Sequence, residues 1–431
     1  MRKFFTFFVM LAFVGLSVDL QAQTPETVTD GKGNKYVASE IKQLVDFLNL
    51  PSLKKGLTNA QAFGYSVKVT MDNVDEWGNG CGYSRGVYIG NIYNFTKIGD
   101  IYYIGRLEIQ SPSEYKDAVR LAGHLQIQNF KYLKLLSCNA PFLGDKMTVK
   151  DCPNLQEFYL SRPQWEKNEK DPLNERLLEI KNCPALKTVD INCYLTEFVT
   201  DDHFMPEYIT ITQTNIPCID FSKQKQLKSL KLSGNKFTKI TLPNRAEYGE
   251  NMYEGDFSYN AIEPIQLIPL ISAYYGDSLF YDEDYNTGEM KLNSAKTLYL
   301  NNVLWHNIIA CDPVTGMDTF AVGSKIDLSS LAKLQYGVPA VASTGKFQWS
   351  VQGPNVEGNS YPNLPETAEM KKGILVIPNN LMGTTITCTY MAPPLCNYPI
   401  KYIIYVSKKA GKAVNYVPNK SQPCESCTKT R

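Results

Sequence analysis

The sequence predicts a mostly β chain in which a solenoid of short, irregular repeats is closed at its N-terminal side by a helical cap and followed by an all-β sandwich. Three observations carry this expectation. Apolar-x-apolar triplets recur between Leu107 and Leu300, the period-two alternation of short strands with one buried face. An amphipathic segment from Ser39 to Leu48 precedes them, and after about Ala310 the texture changes to strands separated by Gly, Pro and Asn turns. The implied segments are 1–22 (export signal), 23–105 (cap region), 106–310 (solenoid), 311–415 (sandwich) and 416–431 (polar tail).

The export signal rests on Arg2 and Lys3, an apolar run from Phe4 to Leu16, and a small residue, Ala22, after which cleavage is expected. Asp19 and Gln21 stop the run short of the roughly 20 residues a membrane span needs, so a membrane anchor is the lesser alternative. No cysteine follows the run to carry a lipid, and no hydrophobic sorting tail closes the sequence. The mature chain is expected to be exported, to the cell surface, the medium or the periplasm, and to be a monomer with no transmembrane segment.

A length of 431 residues is ample for two or three cored domains. Lys and Arg number 44 against 43 Asp and Glu, so a net charge of +1 leaves no cation excess for phosphate neutralisation, and nucleic acid is not an expected partner. Histidine is scarce: only three, His124, His203 and His306, are available for metal or triad chemistry. No cofactor and no enzymatic activity are expected.

In the cap region, Ile41, Leu44, Val45 and Leu48 fall on one helical face, with Ser39 as N-cap and Pro51 beyond the end. In the repeats, Leu125 and Ile127 lead to Leu133 and Leu135. Met147 and Val149 lead through Cys152 and Pro153 to Leu155, Phe158 and Leu160. Leu178 and Ile180 lead through Cys183 and Pro184 to Leu186, Val189 and Ile191. The clearest unit runs from Leu227 through Leu230, Leu232, Asn235, Phe237 and Ile240 to Leu242. Its spacing resembles the leucine-rich-repeat pattern, in which stacked aliphatics face inward and an Asn at the bend bonds backbone groups. Looser copies occur at Leu107–Ile109, Ile209–Ile211, Asp256–Asn260 and Leu298–Asn302. The fold class implied is an irregular, mostly β solenoid of the α/β-type leucine-rich-repeat class. A right-handed parallel β-helix is its structural competitor, disfavoured because the Leu227 unit spans a full turn and the Cys-Pro copies share its phase.

The segment with Trp77, Cys81, Tyr83, Gly86 and Val87 is similar to the N-terminal caps of leucine-rich-repeat proteins, except that Ile89 stands where a second cysteine would close the cap. In the C-terminal region, strands are expected at Phe320–Val322, Lys325–Leu328, Lys346–Val351, Gly373–Ile377, Thr384–Met391 and Ile400–Val406. Trp349 and Cys388 give the region a resemblance to bridge-free, bacterial Ig-like modules. Of the 11 cysteines, Cys152 and Cys183 occupy matching contexts and read as buried free thiols at one repeated core position. Cys424 and Cys427 have the spacing of a local disulfide or, less favoured, of half a metal site.

Chemistry is sparse. Asp282, Asp284 and Asn286 resemble the first half of a calcium loop, but the glycine comes late at Gly288 and Asn293 cannot supply the closing carboxylate. Tyr274 and Tyr275, in the same insertion, either pack it onto the solenoid, which is the favoured reading, or anchor a sugar ring or a protein partner. Glu179 and Asp190 face out of the core without any sign of catalytic pairing. The residues between paired aliphatics, namely Glu108, Gln126, Thr148, Glu179, Thr210, Lys231 and Tyr299, are expected to form one outward line across adjacent strands, with Lys231 and Tyr299 its foremost binding candidates.

Taken together, these segments resemble bacterial cell-surface leucine-rich-repeat proteins of the internalin-like and BspA-like kind. The resemblance implies adhesion or capture of a protein or glycan ligand without turnover. The alternatives are a structural component of the envelope and, further off, a carbohydrate-active enzyme on a β-helix using Glu179, Asp190 or Lys231.

Overall fold

Alternating side chains in the first described residues fold into a small mixed sheet that leads directly into the predicted helix. The computed structural model describes residues 24–80, 86–89, 94–110, 121–139, 146–161, 177–243, 254–262, 281–283, 290–292, 307–311, 318–333, 346–353, 364–391 and 400–418. β1 (Thr27–Thr29) and β2 (Lys35–Val37) form a hairpin whose turn is closed by Asp30, which accepts from the Lys32 and Asn34 amides at 2.9 and 2.8 Å. α1 (Ala38–Asn49) buries the expected stripe of Ile41, Leu44, Val45 and Leu48. Its N-cap is Val37, not Ser39, because β2 runs straight into the helix and the Ala38 amide is already bound to the Glu26 carbonyl. α2 (Asn59–Phe63) carries a capping box from Thr58 and Gln61, and α3 (Val74–Trp77) presents the fully buried Trp77. β3 (Gly86–Tyr88), β4 (Phe95–Ile98) and β5 (Ile101–Ile104) complete the region, with sheet order β1-β2-β5-β4.

Gly86 explains one residue of the Trp77–Val87 segment. Its φ is +100°, and a Cβ there would lie 2.3 Å from the Tyr65 hydroxyl, which accepts from the Val87 amide at 2.8 Å. Ile89, in the place of a second cysteine, is fully buried. Cys81 and Tyr83 lie outside the described residues.

From Arg106 each coil contributes two strands, one to each of two parallel sheets. The first sheet takes β6 (Arg106–Gln110), β8 (Leu135–Asn139), β10 (Glu157–Ser161), β12 (Thr188–Asn192), β14 (Tyr208–Thr212), β16 (Ser229–Lys231) and β18 (Glu254–Asp256), with β3 added antiparallel at its start. The second takes β7 (His124–Gln128), β9 (Lys146–Lys150), β11 (Leu177–Lys181) and β13 (Glu197–Thr200); in later coils its place passes to the parallel pair β15 (Cys218–Asp220) and β17 (Lys239–Thr241). Leu107, Leu136, Phe158, Val189, Ile209 and Leu230 stack in register inside the long sheet. Leu125, Met147 and Leu178 do the same inside the short one. Coil length varies from 20 residues (Val189 to Ile209) to 31 (Phe158 to Val189), with the variation confined to the connections.

The corners repeat one device. A left-handed residue is followed by a buried side chain, which in Cys152, Cys183, Asn235 and Asn260 bonds backbone carbonyls. Asn129, Asp151 and Asn182 have positive φ before Phe130, Cys152 and Cys183, after short-sheet strands. Gln213, Gly234 and Tyr259 have positive φ before Thr214, Asn235 and Asn260, after long-sheet strands. The units built on Leu178 and Leu230 therefore share apolar spacing but lie on opposite sheets, which differs from the common phase expected. A two-strand coil offers two near-equivalent strand-plus-corner steps, so one spacing serves either side.

The first coil is closed by side-chain amides. Gln43 of α1 donates to the Gln128 carbonyl at 2.9 Å and accepts from its amide at 2.8 Å. Asn59 does likewise with Ala122, at 2.9 and 3.0 Å. Each supplies the pairing that a preceding coil would have provided.

Beyond the coils, β19 (Tyr281–Glu283) and β20 (Met290–Leu292) pair antiparallel. The C-terminal region comprises β21 (Asn307–Ile309), β22 (Thr319–Phe320), β23 (Lys325–Asp327), β24 (Lys346–Gln352), α4 (Ala368–Lys371), β25 (Ile374–Val376), β26 (Thr385–Met391), β27 (Ile400–Val406) and β28 (Asn415–Tyr416). All six strands expected here are present. They form a sheet of order β21-β27-β26-β24, with β22 also on β27, and a second of order β25-β23-β28. Phe347 stacks with Tyr390 at 4.7 Å, and Phe320 meets Tyr416 at 5.6 Å. Trp349 lies directly across from Cys388, which is buried and free. β21 precedes the boundary expected at 310/311 yet pairs with β27, bridges to Asn260, and is accompanied by a bond from the Tyr402 hydroxyl to the Ile262 carbonyl at 3.2 Å. The coils and the C-terminal sheets thus share one hydrophobic core. No helix among the described residues is long and apolar enough to cross a membrane.

Asn235 is 1% exposed, donates to the Ile211 and Leu232 carbonyls at 2.7 and 2.8 Å, and accepts from the Thr214 amide at 2.8 Å. Asn235→Ala is expected to destabilise by about 3 kcal/mol, through backbone groups left unbonded without water. A urea midpoint unchanged from wild type would contradict this. Burial pushes the Glu40 carboxyl up to about 8 from its usual 4.5, against the single opposing bond from the Ile104 amide. Between those two values the fold holds a proton that the unfolded chain has lost, so stability falls as pH rises from 4.5 to about 8, by on the order of 5 kcal/mol. Glu40→Gln is expected to flatten that slope, seen by comparing denaturation near pH 5 with denaturation above about pH 8.

Candidate functional site

Outward residues in register form rows one strand spacing apart, about 4.8 Å. On the long sheet the middle row reads Glu108, Ser137, Tyr159, Asp190, Thr210, Lys231, Asp256. On the short sheet it reads Gln126, Thr148, Glu179, Val199. The single line expected from sequence is therefore two lines on different faces: Gln126, Thr148 and Glu179 lie on one, and Glu108, Thr210 and Lys231 on the other. Tyr299, Tyr274 and Tyr275 lie outside the described residues, as do Cys424 and Cys427 and most of the acidic loop around Asp284.

The short-sheet face satisfies its own polar groups. Lys181 binds Glu179 at 2.6 Å, Lys146 stands at 3.6 Å, and Thr148 donates to the same carboxylate at 3.3 Å. The Lys181 hydrogen bond is the first cause holding the Glu179 carboxyl below its usual range. Thr148 in turn meets His124 Nε2 at 2.9 Å. Glu179 is thus a neutralised carboxylate within a closed network.

The long-sheet face is different. Glu108 is bound by Arg106 and by Gln110, but three coils on Asp190 is half-buried, and no hydrogen bond or ion pair reaches it among the described residues. Burial alone raises its carboxyl above the usual range. Two residues along the same strand, Asn192 Oδ1 is buried without a partner among the described residues. Tyr159, the register neighbour of Asp190, donates to Glu157 at 2.9 Å; burial first, then that bond, raises its phenol. Tyr208, on the coil after Asp190, is 37% exposed, with Lys228 Nζ at 6.0 Å from its ring. The face therefore offers the Asp190 carboxylate as an acceptor beside tyrosine rings, a composition suited to ligands rich in hydrogen-bond donors.

Reading the repeats from sequence missed Tyr159. It lies at the between-aliphatics position of β10, and assigning two strands to each coil would have placed it beside Asp190. Glu179 and Asp190 face different sheets, so they do not converge as a catalytic carboxylate pair. Among the described residues no group of three or more His, Cys, Asp or Glu side chains could hold a metal ion. Cys138, Cys152, Cys183 and Cys388 are buried and free, as read for Cys152 and Cys183, whereas Cys218 is disulfide-bonded. Burial pushes the Cys138 and Cys388 thiols up, away from the reactive thiolate. Comparison with protein families, characterised proteins and solved structures finds no match to the chain.

Proposed function

We propose that the chain is an exported, non-enzymatic binding protein, a leucine-rich-repeat-type solenoid with an Ig-like C-terminal module, that presents the outer face of its long sheet to a protein or glycan ligand. The single observation carrying this reading is the outward row around Asp190. Among the described residues its half-buried carboxylate and the neighbouring Asn192 oxygen lack partners, while the equivalent Glu179 on the other face is fully engaged. A carboxylate kept desolvated and unpaired costs stability, and a ligand that donates to it offsets the cost. The disulfide at Cys218 supports an oxidising compartment, in keeping with the signal-like residues 1–22. The order β21-β27-β26-β24 with β22 parallel on β27, together with a separate sheet of β25, β23 and β28, supports the Ig-like assignment.

The test is binding of the purified chain to glycan and protein arrays, paired with protease shaving of intact cells. Shaving is expected to remove the chain while a periplasmic control survives. Asp190→Lys is expected to lower the array signal at least ~10-fold and Glu179→Ala to leave it unchanged, since losing one well-placed anchor is worth about 1.4 kcal/mol or more. Equal loss in both variants, or none in Asp190→Lys, contradicts the site; full protection in shaving contradicts surface exposure.

A further inference from the structure

The sandwich has a cavity of its own, distant in sequence from the row around Asp190 and independent of the reading given to it. β24 is the edge strand of the larger sheet, and α4 lies against it. Between them is a cavity of about 370 Å³. That is near the lower end of ligand pockets, roughly 300–1,000 Å³, and suits one or two sugar rings better than a folded partner.

Its apolar wall is made by Trp349, Leu364 and Met370. The indole is fixed in place, because Nε1 donates to the Met370 carbonyl at 2.9 Å, and Met370 is itself held by the Thr367 cap of α4 at 3.2 Å. A ring clamped before a ligand arrives loses little freedom on binding. The polar wall is made by Gln348, Ser350 and Thr389. Gln348 and Thr389 are register partners on adjacent strands, so their side chains share one face of the sheet. None of the three makes a side-chain hydrogen bond among the described residues. Trp349 pairs with Cys388 on the opposite face of the strand, so the cavity wraps the edge of β24, with the immobilised indole on one side and an amide and two hydroxyls, donors and acceptors both unused, on the other.

Neutral groups that both donate and accept, next to an aromatic ring, match the hydroxyl-rich edges and apolar C–H patches of a pyranose. The charged group in the lining is Glu366, whose ion pair with the exposed Lys371 is loose at 3.4 Å. Its carboxylate opposes uronates and sialates. We propose that this cavity is a subsite for one or two uncharged pyranose rings of a glycan, so that the C-terminal module is a binding unit in its own right and more than a spacer for the solenoid.

The test uses the full chain, titrated calorimetrically with cello-, malto- and mannotetraose and with tetragalacturonate. At least one neutral tetrasaccharide is expected to bind with a Kd on the order of 1 mM or tighter. Gln348→Ala and Ser350→Ala, both exposed strand positions with little bearing on folding, are expected to weaken it at least ~5-fold, one lost hydrogen bond each, without moving the thermal midpoint. Trp349→Phe is expected to weaken binding as well, and Glu366→Gln to admit tetragalacturonate. Absence of binding by every neutral sugar overturns the proposal. Binding that survives Gln348→Ala and Ser350→Ala but is lost in Asp190→Lys also overturns it, and assigns the sugar to the solenoid. Tighter binding of tetragalacturonate than of neutral sugars by the wild type overturns it equally.

Discussion

Everything in this molecule depends on hydrogen bonding between successive coils at the corners. A coil of two short strands cannot enclose its own core, so its aliphatic residues are dry only when another coil lies on each side. Strands pair along their length without difficulty, but the turns between them point amides and carbonyls into a region that water cannot reach. Each such group left unbonded costs about 1–3 kcal/mol. Asn235 and Asn260 bond carbonyls of their own coil and of the one before, and Cys152 bonds the Ile127 carbonyl of the preceding coil. The amides of Gln43 and Asn59 solve the same problem at the start, where no earlier coil exists. Corner and cap are one physical solution applied in two places.

This constraint also shapes the surface. Because coils stack in register, any outward position becomes a row, and a row's chemistry is set by a few residues far apart in sequence. The two faces have diverged. On the short sheet Lys146, Thr148, Glu179 and Lys181 satisfy one another. On the long sheet no described residue bonds the Asp190 carboxylate or Asn192 Oδ1, and Tyr159 and Tyr208 stand on the coils before and after Asp190. That asymmetry singles out one face, and it arises with no irregularity in the backbone. At the far end the stack does not stop at a linker. β21 passes the hydrogen bonding on to β27, so the sandwich closes the last described coil much as α1 closes the first.

Much of this was legible from residues alone. The stripe of α1, the alternation of every sandwich strand and the buried, free state of Cys152 and Cys183 follow from local patterns that the fold respects. Local patterns misled where a neighbour outside the window decided the outcome. Ser39 looks like an N-cap, but the bond from the Ala38 amide to Glu26, made by the preceding hairpin, starts the helix earlier. Trp349 resembles a central core residue, yet it sits half-buried on an edge strand because β24 has a pairing partner on one side only among the described residues.

The outward row shows the division most clearly. By itself the sequence determined that Glu108, Thr148, Glu179, Thr210 and Lys231 face away from the core, because each stands between two aliphatic residues that must be buried. Only the tertiary structure decided which of them are neighbours. Alternation reports whether a side chain points in or out, and it is identical for both strands of a coil. The sheet a strand joins depends on the length of the connections and on which coil it meets, and no residue encodes that within its own few positions. For that reason Glu179 and Asp190, only 11 residues apart, face opposite sides, while Asp190 and Tyr159, 31 apart, lie side by side.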